Sequence, residues 1–244
     1  MLHSRYKILE AFGIPIYVNL SFAFLLLLFV TDFGSFTFGL AAALSLAISV
    51  TLHELGHALT ARAFGYRTSD ITLSLLGGCA SLIALPRKGW QEFLTAIAGP
   101  LTSFALAGTM YAVLLSGLVS NEWLGSLLLY TCVMNVMLGG FNLLPGFPMD
   151  GGRIFRSTML LFLSRARATF VAMWVGRVVA ILIGLRGVWS ILNHGSWGLI
   201  SILIAWMIWQ EGYREYLIAR QEENFRHWTQ DDFNARVSPP PYEQ

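Results

Sequence analysis

The sequence predicts an all-α polytopic membrane protein of about six transmembrane helices, with one short membrane-associated β-hairpin or re-entrant segment between the second and the third. Three observations carry that prediction. Hydrophobic residues make up 55% of the 244 positions and charged residues 12%, where an ordinary soluble domain has about 25% charged residues. Mean hydropathy is +0.60, an apolar surplus that one core of this size cannot hide, so a lipid-facing exterior is the simplest account. Apolar runs recur at the length a bilayer demands, roughly 20 residues at about 1.5 Å rise each.

Each element follows in order. The run 14–31 comes after Arg5 and Lys7, as a signal peptide would. Thr31, Asp32 and Phe33 offer no small-residue cleavage site, however, so it reads as a retained first helix. The second helix is expected over 38–63. The stretch from Ile71 to Leu85 is too short to span, is broken by Gly77 and Gly78, and is stopped by Pro86. Further spans are expected over 92–118, 124–142, 168–192 and 197–216. Residues 1–220 thus form one integral membrane domain. Residues 221–244 read as a polar, disordered cytoplasmic tail, closing on the extended stretch Pro239-Pro240-Pro241-Tyr242.

Charge sets the orientation. All but two of the sixteen Lys and Arg fall before the first helix, between the second and third, between the fourth and fifth, or after the sixth. By the positive-inside bias both termini are cytoplasmic. The remaining two, Arg177 and Arg186, lie inside the fifth span, where a charge costs about 2.5 kcal/mol or more at mid-depth. The net charge of +2 is not gathered into a basic patch interleaved with aromatics, which excludes nucleic acid as a partner. Cys79 and Cys132 cannot build a disulfide framework.

The second span contains His53-Glu54-Leu55-Gly56-His57. Histidines at i and i+4 share a helix face one turn apart, so both imidazoles can reach one tetrahedral metal. Glu54 then lies beside the metal, placed to act as general base toward water and to return the proton to a leaving amine. Two histidines and a carboxylate inside an apolar helix are costly unless they face a partner, an ion or water. A catalytic zinc needs a third protein ligand. His3, His194 and His227 are terminal or in connections, and Glu10, Glu92, Glu122, Glu211 and Glu215 lie near helix ends. Asp150 stands apart. It follows the fourth span within Asn142-Leu143-Leu144-Pro145-Gly146-Phe147-Pro148-Met149-Asp150-Gly151-Gly152, whose prolines and glycines should take the backbone off the helical path at membrane depth. His57 and Asp150 both fall near the cytoplasmic side, so the two motifs can meet.

These residues together resemble the site-2 protease family of intramembrane zinc metalloproteases. The resemblance rests on His53 to His57 followed by the Asn142–Gly152 segment, in that order. Ala98-Gly99-Pro100 is similar too, although Ser103 stands where members often have asparagine. The resemblance implies that His53, His57 and Asp150 hold one Zn2+ per chain and that Glu54 is the catalytic base. It implies that Asn142 helps to stabilise the reacting carbonyl or to orient substrate; from the residue alone, hydrogen bonding between helices is an equal reading. The 71–85 stretch, with Gly77 and Gly78, is similar to a family hairpin that pairs with an unwound substrate strand, against the plainer reading of a tight turn. The implied activity is that of a zinc metalloendopeptidase. It cuts within or near transmembrane segments of membrane-tethered proteins, often already trimmed by another protease, in a prokaryotic cell membrane. No CBS or PDZ domain is expected. Two alternatives are a membrane metallopeptidase of the Ste24/HtpX type, which takes a glutamate as third ligand from a different motif, and a non-catalytic metal-binding membrane protein.

Overall fold

A computed structural model describes residues 5–74, 77–82, 88–193 and 198–237. The chain divides into two compact units, Met1–Leu144 and Pro145–Gln244, taken here in turn.

Residues 14–19 are a strand and not the start of a spanning helix. β1 (Arg5–Ala11) and β2 (Ile14–Asn19) form an antiparallel hairpin. Its two-residue turn, Phe12-Gly13, has φ of +52° and +74°, the mirror-image turn whose twist matches that of paired strands. Arg62 Nη1 donates to Phe12 O at 2.7 Å and holds the turn. The sequence carries the reason: Ile14, Ile16 and Val18 alternate with Pro15 and Tyr17, which suits a half-buried strand. Asn19 then caps a helix, its side chain accepting from Ser21 N at 3.2 Å. That helix, α1 (Leu20–Asp32), has 13 residues, about 20 Å and short of the hydrocarbon thickness.

α2 (Phe36–Ala63) ends in a Schellman turn: Gly65 N donates to Arg62 O and Tyr66 N to Ala61 O, with Gly65 at φ +85°. The turn delivers the chain into β3 (Thr68–Ser74) and then β4 (Gly77–Leu82), which pair antiparallel as the expected hairpin. Leu75 and Leu76, and residues 83–87, lie outside the described residues. β3 also pairs with β2 in parallel, Ile16 opposite Ile71, giving one sheet in the order β1-β2-β3-β4. Ile14, Ile16, Ile71 and Leu73 point from one face of this sheet onto Phe22 of α1 and Val50, Leu55 and Ala58 of α2. This core seats α2, and with it the histidine motif, against the sheet. α3 (Gly89–Leu115) and α4 (Glu122–Asn142) complete the unit, α4 being capped by Asn121.

The second unit contains α5 (Asp150–Met159), α6 (Arg165–Leu192) and α7 (Gly198–Val237). α6 and α7 run antiparallel: Gly187 meets Gly198, Gly184 meets Ala205, and Phe170 meets Tyr216. Glu223 of α7 accepts from Ala166 N at 2.9 Å and from Ser164 Oγ, so it caps the first turn of α6 from outside. α7 continues to Val237, so residues 221–237 are helical where a disordered tail was expected. His3, His194 and Pro239–Tyr242 lie outside the described residues. Arg177 stacks between Trp174 and Trp209, its guanidinium carbon 4.7 and 4.5 Å from their ring centroids. The rings cover the cation with polarisable surface in place of water. Arg186 is exposed.

Four described helices, α2, α3, α4 and α6, are long and apolar enough to cross a membrane. The apolar part of α7 stops at Trp209, before Gln210 and Glu211.

Candidate metal centre

His53 and His57 lie on one stripe of α2, buried at 2% and 5% exposure. Their Nε2 atoms are 3.2 Å apart. Two nitrogens each about 2.05 Å from a common tetrahedral zinc would stand about 3.3 Å apart, so the pair is spaced for one ion. Two facing lone pairs at this distance repel unless a proton or cation lies between them, and so the donor set fits a metal.

The opposite nitrogens are fixed by α3. Thr95 O lies 2.7 Å from His57 Nδ1. A carbonyl only accepts, so Nδ1 carries the proton and Nε2 presents its lone pair. Ser103 Oγ lies 2.9 Å from His53 Nδ1 and is fully buried, and its hydroxyl can accept from Nδ1–H in the same way. Thr95, Gly99 and Ser103 are spaced by four residues, so they form one stripe of α3 facing the stripe of α2. Between the two anchors comes Gly99. A Cβ there would collide with His57 Nε2 and Cε1 and would come within 2.8 Å of His53 Nε2. The α3 backbone therefore lies against the facing Nε2 edges of both rings, and only a residue without a side chain fits.

The departure from asparagine at Ser103 put a supporting contact in doubt, and Ser103 makes a contact with His53 Nδ1. We expect Ser103→Ala to fold normally and to bind zinc about 10–100-fold more weakly, the usual loss when a partner of a ligand histidine is removed; competition against a chromophoric chelator measures it. Sequence reasoning also missed Asn135. Fully buried on α4, it donates to Ser49 Oγ at 2.8 Å and to Thr131 O at 2.9 Å. Ser49 lies one turn before His53, so this bond ties α4 to the helix that carries the histidine motif. An asparagine in the middle of an apolar span was the available signal.

The other expected site residues are placed as follows. Glu54 is buried at 8% exposure on α2. Asn142 donates from Nδ2 to Leu138 O at 3.0 Å, a bond within α4. Gly77 and Gly78 pair with Ser74 and Leu73 in β4, the last strand of the sheet, whose outer edge meets no other described strand. In the second unit Asp150 opens α5 and is buried at 6% exposure. Its position in the first turn of the helix suits a carboxylate.

Comparison with known proteins agrees with this geometry. Residues 41–122 and 116–185 match peptidase family M50. The chain is 31% identical over 224 residues to a zinc metalloprotease of Methanocaldococcus jannaschii, covering 91% of this chain and 63% of that protein. It is 33% identical over 261 residues to a Synechocystis sp. protein that bears a zinc metalloprotease name, covering 98% of this chain and 66% of that one. The chain thus spans slightly less than two thirds of the length of these relatives. The solved site-2 protease from Methanocaldococcus jannaschii superposes with a TM-score of 0.66 at 30% identity, covering 87% of this chain and 95% of that one. A metallopeptidase of the Ste24/HtpX type is not favoured by these matches. The M50 match covers both the histidine motif and the Asp150 segment, and the chain belongs to peptidase family M50.

Proposed function

We propose that this protein is an intramembrane zinc endopeptidase that hydrolyses peptide bonds within or near the transmembrane segments of membrane-tethered proteins. The observation that carries the reading is the facing Nε2 pair of His53 and His57, each ring held by α3 through its other nitrogen. In this reading His53, His57 and Asp150 hold one zinc. When bound, zinc acts as a Lewis acid that polarises the scissile carbonyl and lowers the pKa of water to about 7.

The chain's own residues do the rest. Glu54, adjacent to His53, takes a proton from the attacking water and delivers it to the leaving amide nitrogen. Thr95 O keeps the His57 imidazole in the tautomer whose Nε2 lone pair faces its neighbour, and Ser103 Oγ can accept from His53 Nδ1–H to the same end. The outer edge of β4, at Gly77 and Gly78, offers backbone hydrogen bonds to an extended substrate strand, because a helical substrate hides its carbonyls in its own bonds until it unwinds. Asn142 lies at the end of α4, at the start of the segment that leads to Asp150, and contributes to orienting that strand.

The charge distribution supports cytoplasmic termini, and α1 and the apolar start of α7 add two membrane-embedded helices to the four long ones. The substrate in this reading is a membrane-tethered protein.

The zinc content of detergent-purified wild type beside Asp150→Ala tests the ligand set. About one zinc per chain is expected in wild type, with a steep loss in a variant that keeps its helical circular dichroism, because a catalytic site has three protein ligands. Full occupancy in folded Asp150→Ala would remove Asp150 from the site.

A further inference from the structure

The second unit contains a buried cation that the reaction does not use. Arg156 is the largest fully buried side chain among the described residues, at 2% exposure. Its Nη1 donates to Glu215 Oε2 of α7 at 2.9 Å. Its guanidinium carbon lies 5.0 Å from the centroid of the Phe147 ring. Phe147 is buried at 1% exposure, three residues before Asp150, in the loop that enters α5.

That loop is pressed flat on both sides. A Cβ on Gly152 would stand 2.7–2.8 Å from Gly146 C, Gly146 O and Phe147 N, so the first turn of α5 lies directly on the loop backbone. On its other side a Cβ on Gly146 would stand 2.9 Å from Gly176 Cα of α6, and one on Gly176 would stand 3.0 Å from Gly146 Cα. Backbone contacts of this kind set distance but not rotation, since neither partner has a side chain to lock. The Phe147 ring, buried three residues before Asp150, is a side chain that can fix how the loop is turned.

Burying a guanidinium is unfavourable, and an apolar pair of similar volume would often stabilise the fold as well or better. What an apolar pair lacks is direction. A guanidinium is planar, with donors along its edges and faces that stack on aromatic rings, so it can fix a carboxylate and a ring plane together. We propose that Arg156 and Glu215 are positioning residues for Asp150: Glu215 on α7 sets the plane of Arg156, Arg156 sets the Phe147 ring, and the ring sets the direction in which α5 presents the Asp150 carboxylate. This inference rests on Asp150 being a metal ligand.

The test uses the full chain in detergent, with Glu215→Gln, Phe147→Leu and Asp150→Ala beside wild type. Zinc affinity is read by chelator competition, and ligand geometry by the visible absorption of the Co2+-loaded protein. Glu215→Gln and Phe147→Leu are expected to weaken zinc about 10–100-fold, as loss of an outer partner does at other metal sites, and to shift the Co2+ band in protein whose helical circular dichroism is unchanged. Wild-type affinity and a wild-type band in both folded variants, with metal lost in Asp150→Ala, would overturn the positioning role. Wild-type affinity in Asp150→Ala would instead overturn the ligand assignment beneath it. If Glu215→Gln does not fold, Phe147→Leu, which leaves the ion pair in place, decides by the same two readings.

Discussion

Replacing Glu54 with glutamine is expected to leave zinc bound and to lower hydrolysis of a single-span test substrate in proteoliposomes by roughly 10²–10⁴-fold, the usual contribution of a positioned general base. The reason is local. Glutamine has the volume of glutamate and can occupy the same buried place on α2, so His53 and His57 keep their bonds to Ser103 and Thr95. An amide cannot accept the proton that water must lose. Zinc content and cleavage rate therefore separate in this variant, whereas they fall together when a ligand is removed. Cleavage at the wild-type rate with zinc in place would show that another group carries the proton.

Gly99→Ala is expected to act strongly and with the opposite signature, on zinc binding itself. Its methyl group would overlap His57 Nε2 and Cε1 and crowd His53 Nε2. Two rigid helix backbones have little room to separate here, because α3 is pinned to both rings through Thr95 and Ser103. The imidazoles give way instead, and their metal-facing nitrogens move with them. Overpacking of this kind typically costs about 1–3 kcal/mol, and at about 1.4 kcal/mol per factor of ten zinc binding should weaken roughly 10–100-fold. Helical content in detergent should be retained. Chelator competition on the folded variant checks this, and wild-type affinity would mean that α3 does not approach the rings as closely as described.

Much of the candidate site was legible in the chain because its pattern is local. Histidines four residues apart on an apolar helix share a face whatever surrounds them, and a carboxylate between them is expensive to bury without a role. The hairpin after α2 announced itself through Gly77-Gly78 and Pro86. The first span did not, because an apolar run shorter than a full turn count reads equally as strand or helix, and the alternation of Ile14, Ile16 and Val18 was outweighed by the apolar residues after Leu20. Only pairing with β1 and with β3 decides that Ile14–Asn19 is a strand.

The sequence by itself determined the largely helical, apolar class, the facing stripe of His53 and His57 with Glu54 beside it, and the Pro/Gly-rich segment before Asp150, since each is written in spacing and composition along a few turns of chain. Tertiary structure alone decided what holds them. Thr95 supplies a backbone carbonyl, which no sequence pattern marks, and Ser103 and Gly99 matter only because α3 packs its stripe against that of α2. The contacts that orient a ligand join residues about 40–50 positions apart, and pairings at that range are set by how helices pack, which the order of residues within either helix does not state.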